Sequence, residues 1–478
     1  MSDADAPLVG IGDAPLVGIG ALTDAQDQVR DERVPGVVHL GLGAFHRSHQ
    51  AWFTQHAESD GEPWGITAFT GRRPDQAALL ARQNAVYTLI TRAAEGDSAE
   101  FVDALVAVHD GADGARWREA IADPRTAVVT LTVTEAAYHR AADGGIDFRA
   151  ADVAGDLALL RGETSSTACI TAPGRLVDGL RARHEAAGGP LAVVCCDNLT
   201  DNGQVVRDVV LSLAATADPP LATWIQETVS FVSSMVDRIT PATTETDRAD
   251  ATALTGFDDA AVVVAEPFAE WVLSGDFPAG RPAWETAGAR FVDDLVPYEQ
   301  RKLWLLNAGH SLLAYLGLAL GHETIDDAMG DPRCTGPLER LWDEAAAELP
   351  LPAVEIADAR ASLRERFTNP RIRHRLRQIA SDGSVKLPVR IVDPLRRRLA
   401  RGDTIGDGAA TALAAWWLHL TRQPSLVSDA GAAALPPSAT VADALALVAP
   451  GLEHDDAIRA AVTVAAEQIL AATSSASS

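Results

Sequence analysis

Lysine is all but missing from this chain of 478 residues: Lys302 and Lys386 are the only two among forty cationic residues, and the other thirty-eight are arginines. An arginine keeps its proton at any workable pH, whereas a lysine amine is readily tuned to release it, so the two lysines are candidate acid/base groups. Cysteine is scarce too. Cys169, Cys195, Cys196 and Cys334 show no C-x-x-C spacing, and adjacent Cys195 and Cys196 point to opposite faces of a strand, which excludes a disulfide framework and a zinc cluster. With sixty-six acidic residues the formal net charge is −26, a field that repels phosphate backbones and anionic lipid, so neither nucleic acid nor a membrane surface is an expected partner. No run of eighteen apolar residues occurs, and the N-terminus lacks a basic stretch followed by an apolar one and a small-residue cleavage site. The expected location is the cytoplasm. There is no G-x-S-x-G elbow, no H-E-x-x-H, and no P-loop, since neither lysine follows a glycine.

What the chain does have is 47% hydrophobic residues, enough for substantial cores, at a length that predicts two to four domains. Residues 5–12 recur as 13–20 (DAPLVGIG twice). The repeat lacks a third glycine and no helical pattern follows it, so residues 1–30 read as a flexible tail and not as a nucleotide loop. From Gly36, short apolar runs alternate with helical stretches, VVHLGLG and WGITAF being the first two runs. That is the βαβ rhythm of a parallel sheet. Further buried strands are expected at 127–133, 191–197, 228–236 and 261–266. After Val296 the strands largely stop, and Pro297 opens a long apolar helix to about Leu320. The expected fold is α/β: a Rossmann-type doubly wound sheet domain at 31–285 followed by a mainly α-helical domain at 286–478.

The strand Val37–Leu40 runs into Gly41, Leu42, Gly43, Ala44, Phe45, His46. Two glycines give a tight turn and let a pyrophosphate approach backbone amides at a helix start, although the third glycine of the dinucleotide fingerprint is a histidine here. After the second strand come Thr70, Gly71, Arg72, Arg73, Pro74 and Asp75. NAD enzymes usually place a carboxylate there, and the arginines would suit a 2′-phosphate, so NAD is expected with NADP also possible. His46, His49 and His56 fall at helical spacing, but no carboxylate or cysteine completes a ligand set, and no metal is expected.

Lys302, Asn307 and His310 lie five and three residues apart, which at 100° per residue places them within an arc of about 140°. Leucines and Trp304 surround them. Apolar surroundings disfavour the charged ammonium, which is how a lysine becomes a general base. A second polar cluster, Asp197 to Gly203, follows the strand LAVVCC. It lies where open parallel sheets bind ligands, and asparagine amides there would donate to an oxyanion or alkoxide.

Seven segments together resemble the mannitol dehydrogenase family of long-chain polyol dehydrogenases: GLGAFHRSHQ (41–50), TVTEAAYH (132–139), CDNLTDNG (196–203), MVDRITP (235–241), EPFAEWVL (266–273), KLWLLNAGH (302–310) and RFTNP with QIASDGSVKLPVR (366–390). The likeness spans about 36–400, and the family carries F-H-R after G-x-G as this chain does. It implies a zinc-independent NAD(P) enzyme oxidising a secondary alcohol of an open-chain polyol or sugar acid. The coenzyme would meet Gly41, Gly43, Ala44, Phe45, His46 and Arg47. The resemblance makes Lys302 the catalytic base, Asn198 and Asn307 the alkoxide donors and His310 the substrate-orienting group, with Asp237 and Lys386 lining the substrate cleft. Members acting on mannitol have an arginine near 378, where this chain has Gln378, closer to the fructuronate reductase branch. The first expectation is D-mannitol/D-fructose; the alternatives are D-mannonate/D-fructuronate and a mannitol 1-phosphate dehydrogenase. The last would need a cationic patch, for which Arg373, Arg375, Arg377 and Arg390 are available. A catalytically silent NAD-binding regulatory protein is the competing class, and a monomer or small homo-oligomer is expected.

Overall fold

Largely apolar runs such as Val128–Leu131 and Leu191–Cys195 are buried along their whole length, the pattern of strands covered by helices on both faces. The computed structural model describes residues 17–18, 33–58, 61 and 63–475. The chain divides into two units, one of Met1–Thr91 with Asp97–Asp293 and one of Arg92–Gly96 with Asp294–Ser478. Most of the tandem octapeptide lies outside the described residues. Val17–Gly18 of its second copy pair in parallel with Phe257–Asp258, so that copy is not wholly detached.

The first unit is built on one eight-stranded sheet. Its strands in chain order are β1 (Val34–Leu40), β2 (Trp64–Phe69), β3 (Leu105–His109), β4 (Val128–Leu131), β5 (Leu191–Cys195), β6 (Val229–Asp237), β7 (Glu270–Ser274) and β8 (Arg290–Phe291). In space they run β3-β2-β1-β4-β5-β6-β7-β8. The first six are parallel and β7 is antiparallel to β6. This is the doubly wound Rossmann order with an added antiparallel edge, and its chain reversal falls between β1 and β4.

Strand alternation divides the core in two. Val37, Ile66, Val128, Ala192, Val194 and Cys196 belong to one buried cluster. Val38, Leu40, Phe69, Val129, Leu131, Val193 and Cys195 belong to the other, with Trp117, Leu176, Leu180, Val206 and Val210 from the covering helices. Cys195 and Cys196 therefore face opposite ways. One expected strand is placed differently. Val263–Ala265 leaves the main sheet for a small one with Tyr87–Arg92 and Asp97–Val102, while Glu270–Ser274 takes the main-sheet edge.

Beyond Arg290–Phe291 the described residues contain no further strand. The second unit is helical around Val296–Leu320, a helix long and apolar enough on composition to cross a membrane, yet 78% of its apolar window is buried inside the protein. It packs on Pro332–Ala346, Asp407–Arg422 and Leu376–Ile379, with Leu305, Leu312, Leu313, Trp342, Leu376 and Trp416 all nearly inaccessible.

The long helix is not uniform, which corrects the expectation of 100° per residue along it. Lys302–Asn307 form a π-helical turn, in which the Ala308 amide reaches back to the Leu303 carbonyl. A second π turn, Pro388–Val392, packs against it. Wide turns disturb the carbonyl ladder, and side chains from other helices bond to these carbonyls. The Trp342 indole donates to the Leu305 carbonyl at 2.9 Å, and the Arg390 guanidinium donates to that of Asn307 at 3.3 Å. Trp342→Phe keeps the packing and deletes one donor, so it should lower stability by about 1–2 kcal/mol. Equilibrium urea unfolding measures this, and an unchanged midpoint would remove the indole from the support of the turn.

Candidate active site

The turn after β1 is shaped from below. Gly41 has φ +113, and a Cβ there would lie 2.1 Å from the Thr132 carbonyl oxygen. The Gly41 and Leu42 amides both donate to the Phe69 carbonyl at the end of β2, and the Thr132 hydroxyl donates to the Gly41 carbonyl at 2.9 Å. Gly43 is less crowded: a Cβ there would meet only the Gly41 carbonyl oxygen, at an ordinary contact distance of 3.5 Å, and the residue is partly accessible. This is the cradle a pyrophosphate requires. Beside it an open cleft lies over the carboxyl ends of β1, β2 and β4, lined by Leu40, Gly71, Arg72, Val133, Ile170 and Arg175 among others. That is the switch point of the sheet.

His46 occupies the place of the third glycine, whose usual task is to let helix and strand approach closely. Its ring lies flat on that of His39 of β1, with centroids 3.3 Å apart and planes 10° apart, so a planar ring achieves the same close approach. His39 lies between the Thr130 and Thr132 hydroxyls at 2.8 and 3.0 Å. Burial pushes His39 down to about 3 and His46 well below its ordinary value, so both rings are neutral and can stack. Arg47 is turned inward. Its guanidinium donates to the Gly43 and Ala261 carbonyls, and the Tyr87 hydroxyl donates to the Arg47 carbonyl at 2.6 Å. Of the expected coenzyme contacts, Gly41, Gly43, Ala44 and Phe45 are partly accessible. His46 and Arg47 are buried and act beneath the loop.

After β2, Arg72 and Arg73 are exposed, and buried Arg175 fixes the turn by donating to the Thr70 and Gly71 carbonyls at 3.2 and 3.1 Å. After β5, buried Asn202 bonds the Asp197 carbonyl and both backbone groups of Ser234, and the Tyr138 hydroxyl donates to the Asp197 carboxylate. This pinned loop presents Asn198 at the surface. Asp237, at the carboxyl end of β6, is only 9% exposed.

In the second unit the π turn brings Lys302 and Asn307 onto one face, since residues five apart line up in a π register as those four apart nearly do in an α-helix. Lys302 is half-buried. Asn307 and His310 are 9% and 8% exposed, and neither the Asn307 Nδ2 nor the His310 Nε2 has a hydrogen-bond partner among the described residues. The His310 ring stacks on Phe367 at 4.6 Å and meets His374 edge-on at 5.1 Å. Burial, with His374, Arg366 and Arg390 nearby, holds His310 well below its ordinary value, so it is neutral.

Lys386 is more constrained than its expected place in a substrate cleft suggests. Its ammonium donates to the Ile379 and Ser381 carbonyls and the Ser381 hydroxyl, which engages all three hydrogens. Burial and then Arg390 lower its pKa. Gln378 is exposed. Among the described residues, one group has ligand atoms spaced as a metal would need, His322, Asp331 and Cys334. Its carboxylate is already bonded by Arg333 and His322.

A Rossmann sheet with its open cleft at the switch point, and a helical unit carrying Lys302 and Asn307 on a wide turn with His310 in the α-helix that follows, match known proteins along nearly the whole chain. The family profile for the mannitol dehydrogenase Rossmann domain matches residues 35–286, and that for the mannitol dehydrogenase C-terminal domain matches 294–470. The chain belongs to the mannitol dehydrogenase family. Relatives include the D-mannonate oxidoreductase of Escherichia coli (strain K12), 40% identical over 81% of this chain and 80% of that protein. The mannitol 2-dehydrogenase of Cereibacter sphaeroides is 37% identical over 81% of each. The Pseudomonas fluorescens mannitol 2-dehydrogenase, solved as a ternary complex with NAD and D-mannitol, aligns over 93% of this chain and 94% of its own, with 30% identity and a TM-score of 0.76. Like these relatives, this member of the mannitol dehydrogenase family is an oxidoreductase.

The sequence reading did not single out His39, Thr132, Arg175 or Phe367. Nothing in composition marks them, because each acts through a neighbour that only folding supplies. Two outcomes test the coenzyme turn. Gly41→Ala should weaken NADH binding at least about tenfold, read by fluorescence titration, because a Cβ is strained at that φ and collides with Thr132. Tight binding by that variant would free the turn of the constraint. His39 sets a pH dependence: the unfolded chain takes a proton near 6.5 and the folded unit does not until about 3. Stability from His39 is therefore complete above about pH 6.5 and is lost as pH falls toward 3. Between pH 7 and 4.5 it should account for about 2 kcal/mol. Thermal melts of His39→Gln should be correspondingly flatter with pH than the wild type, and equal slopes would reject this.

Proposed function

We propose that this protein oxidises one secondary alcohol of an open-chain polyol or sugar acid to the ketone with NAD, Lys302 serving as general base. The observation that carries the reading is the pairing of Lys302 with the buried, unpartnered amide nitrogen of Asn307, one π turn away. A buried amide without a partner is unfavourable unless a ligand supplies one. Gly41, Gly43, Ala44 and Phe45 fit the pyrophosphate by their backbone, and Leu40, Arg72 and Val133 fit the adenosine end by the cleft they line. NAD⁺, when bound, accepts the hydride.

The remaining steps belong to this chain. The neutral Lys302 amine takes the hydroxyl proton as the carbon–hydrogen bond breaks. The Asn307 Nδ2 donates to the oxygen while negative charge develops there, a role that the family resemblance also gives Asn198. His310, neutral and wedged against Phe367, fixes an adjacent hydroxyl. In reduction the same groups act in reverse, with protonated Lys302 as the acid.

Lys302→Ala should lower kcat by about 10²–10⁴-fold while NADH still binds. Lys302→Arg should fail as badly, because a guanidinium holds charge but does not give up its proton. Initial rates with NAD⁺ and NADP⁺ on mannitol, mannonate, altronate and arabinitol provide the check, and a near-normal rate for either variant would reject the lysine as base.

A further inference from the structure

Arg390, half-buried, differs electrostatically from four buried arginines of the first unit. Arg47, Arg175, Arg183 and Arg238, in the first unit, each have a carboxylate close enough to favour their charge: Asp259, Asp156, Asp123 and Glu100 respectively. Around Arg390 the one group that favours its charge is the Tyr315 hydroxyl, and burial lowers the guanidinium to about 10. Its two hydrogen bonds go to neutral acceptors, the Asn307 carbonyl at 3.3 Å and the Ser311 hydroxyl at 3.1 Å, both from Nη1. Nε and Nη2, the edge that grips a carboxylate bidentately, make no hydrogen bond to any described residue. A partly desolvated cation without a counter-charge is unfavourable, and Arg390, half-buried, adjoins Asn307 and His310, whose buried Nδ2 and Nε2 have no hydrogen-bond partner among the described residues.

We propose that Arg390 is a specificity-determining residue that binds a carboxylate at one end of the substrate, so that the preferred substrates are sugar acids of the aldonate class over neutral polyols. This rests on the function proposed above and narrows it. The arginine rides on the π turn Pro388–Val392, against the π turn that carries Lys302 and Asn307, so the anion would lie within a few carbons of the reacting alcohol. A single open guanidinium edge matches a planar monoanion. A phosphate dianion calls for a second free cation, and the nearby Lys386 has its three hydrogens on protein oxygens.

The experiment compares kcat/KM with NAD⁺ for D-mannonate, D-mannitol and D-mannitol 1-phosphate. The wild-type enzyme should prefer mannonate to mannitol by about 100-fold or more, and high salt should weaken mannonate more than mannitol. Arg390→Gln, which also removes a donor to the π turn, should lower both values, but that for mannonate by about 100-fold more than that for mannitol and mostly through KM, so that the preference collapses; Arg390→Lys should recover part of it. The inference is overturned, with the oxidoreductase reading intact, if the wild type prefers mannitol or the phosphate, or if Arg390→Gln depresses all substrates alike. No turnover on any substrate by the wild type would overturn both. The wild-type preference and its salt dependence need no variant, so a poorly folded Arg390→Gln leaves the inference falsifiable.

Discussion

The helical unit depends on one departure from helical regularity, the π turn at Lys302–Asn307. In an ordinary α-helix Lys302 and Asn307 would diverge around the cylinder; the wider turn brings them together on one face. Such a turn holds its shape only if its displaced carbonyls find donors. Trp342 and Arg390 provide them from two other helical segments. The packing of the second unit is thus tied to the geometry of its chemistry, and the same arginine that steadies the turn has its other edge free.

A comparable economy governs the nucleotide unit. The usual fingerprint depends on a third glycine for close helix–strand contact, and this chain reaches the same end with two stacked imidazoles. The stack is stable because burial keeps both rings uncharged. His39 then orders Thr130 and Thr132, and Thr132 holds the Gly41 carbonyl. The shape of the turn is held by the strand beneath it.

Much of the sheet was legible from periodicity and from near-continuous apolar runs, since a strand covered on both faces is mostly apolar and its few polar residues, such as His39 and Thr130, bond to one another. The rarity of lysine made Lys302 a candidate acid/base group, and its spacing from Asn307 and His310 suggested a shared face. Val263–Ala265 looks like any other buried strand, and nothing local says which sheet it joins. Lys386 shows the same limit: its rarity made it a candidate acid/base group, and only the fold reveals that its ammonium donates to Ile379 and Ser381. Arg390 was one of four arginines read only as available charge; what sets it apart is the absence of a carboxylate around it, a property of its neighbours.

By itself the sequence determined the class of fold and the family, because alternation, helical spacing and ordered motifs are properties of neighbours along the chain. It also determined that a tunable amine stands among apolar residues. Tertiary structure decided the register of the helix that carries the amine, which rings stay neutral, and which cations are paired. Those outcomes depend on desolvation and on contacts between residues far apart in sequence, such as Arg390 with Asn307 or His39 with Thr130, and no local pattern encodes them.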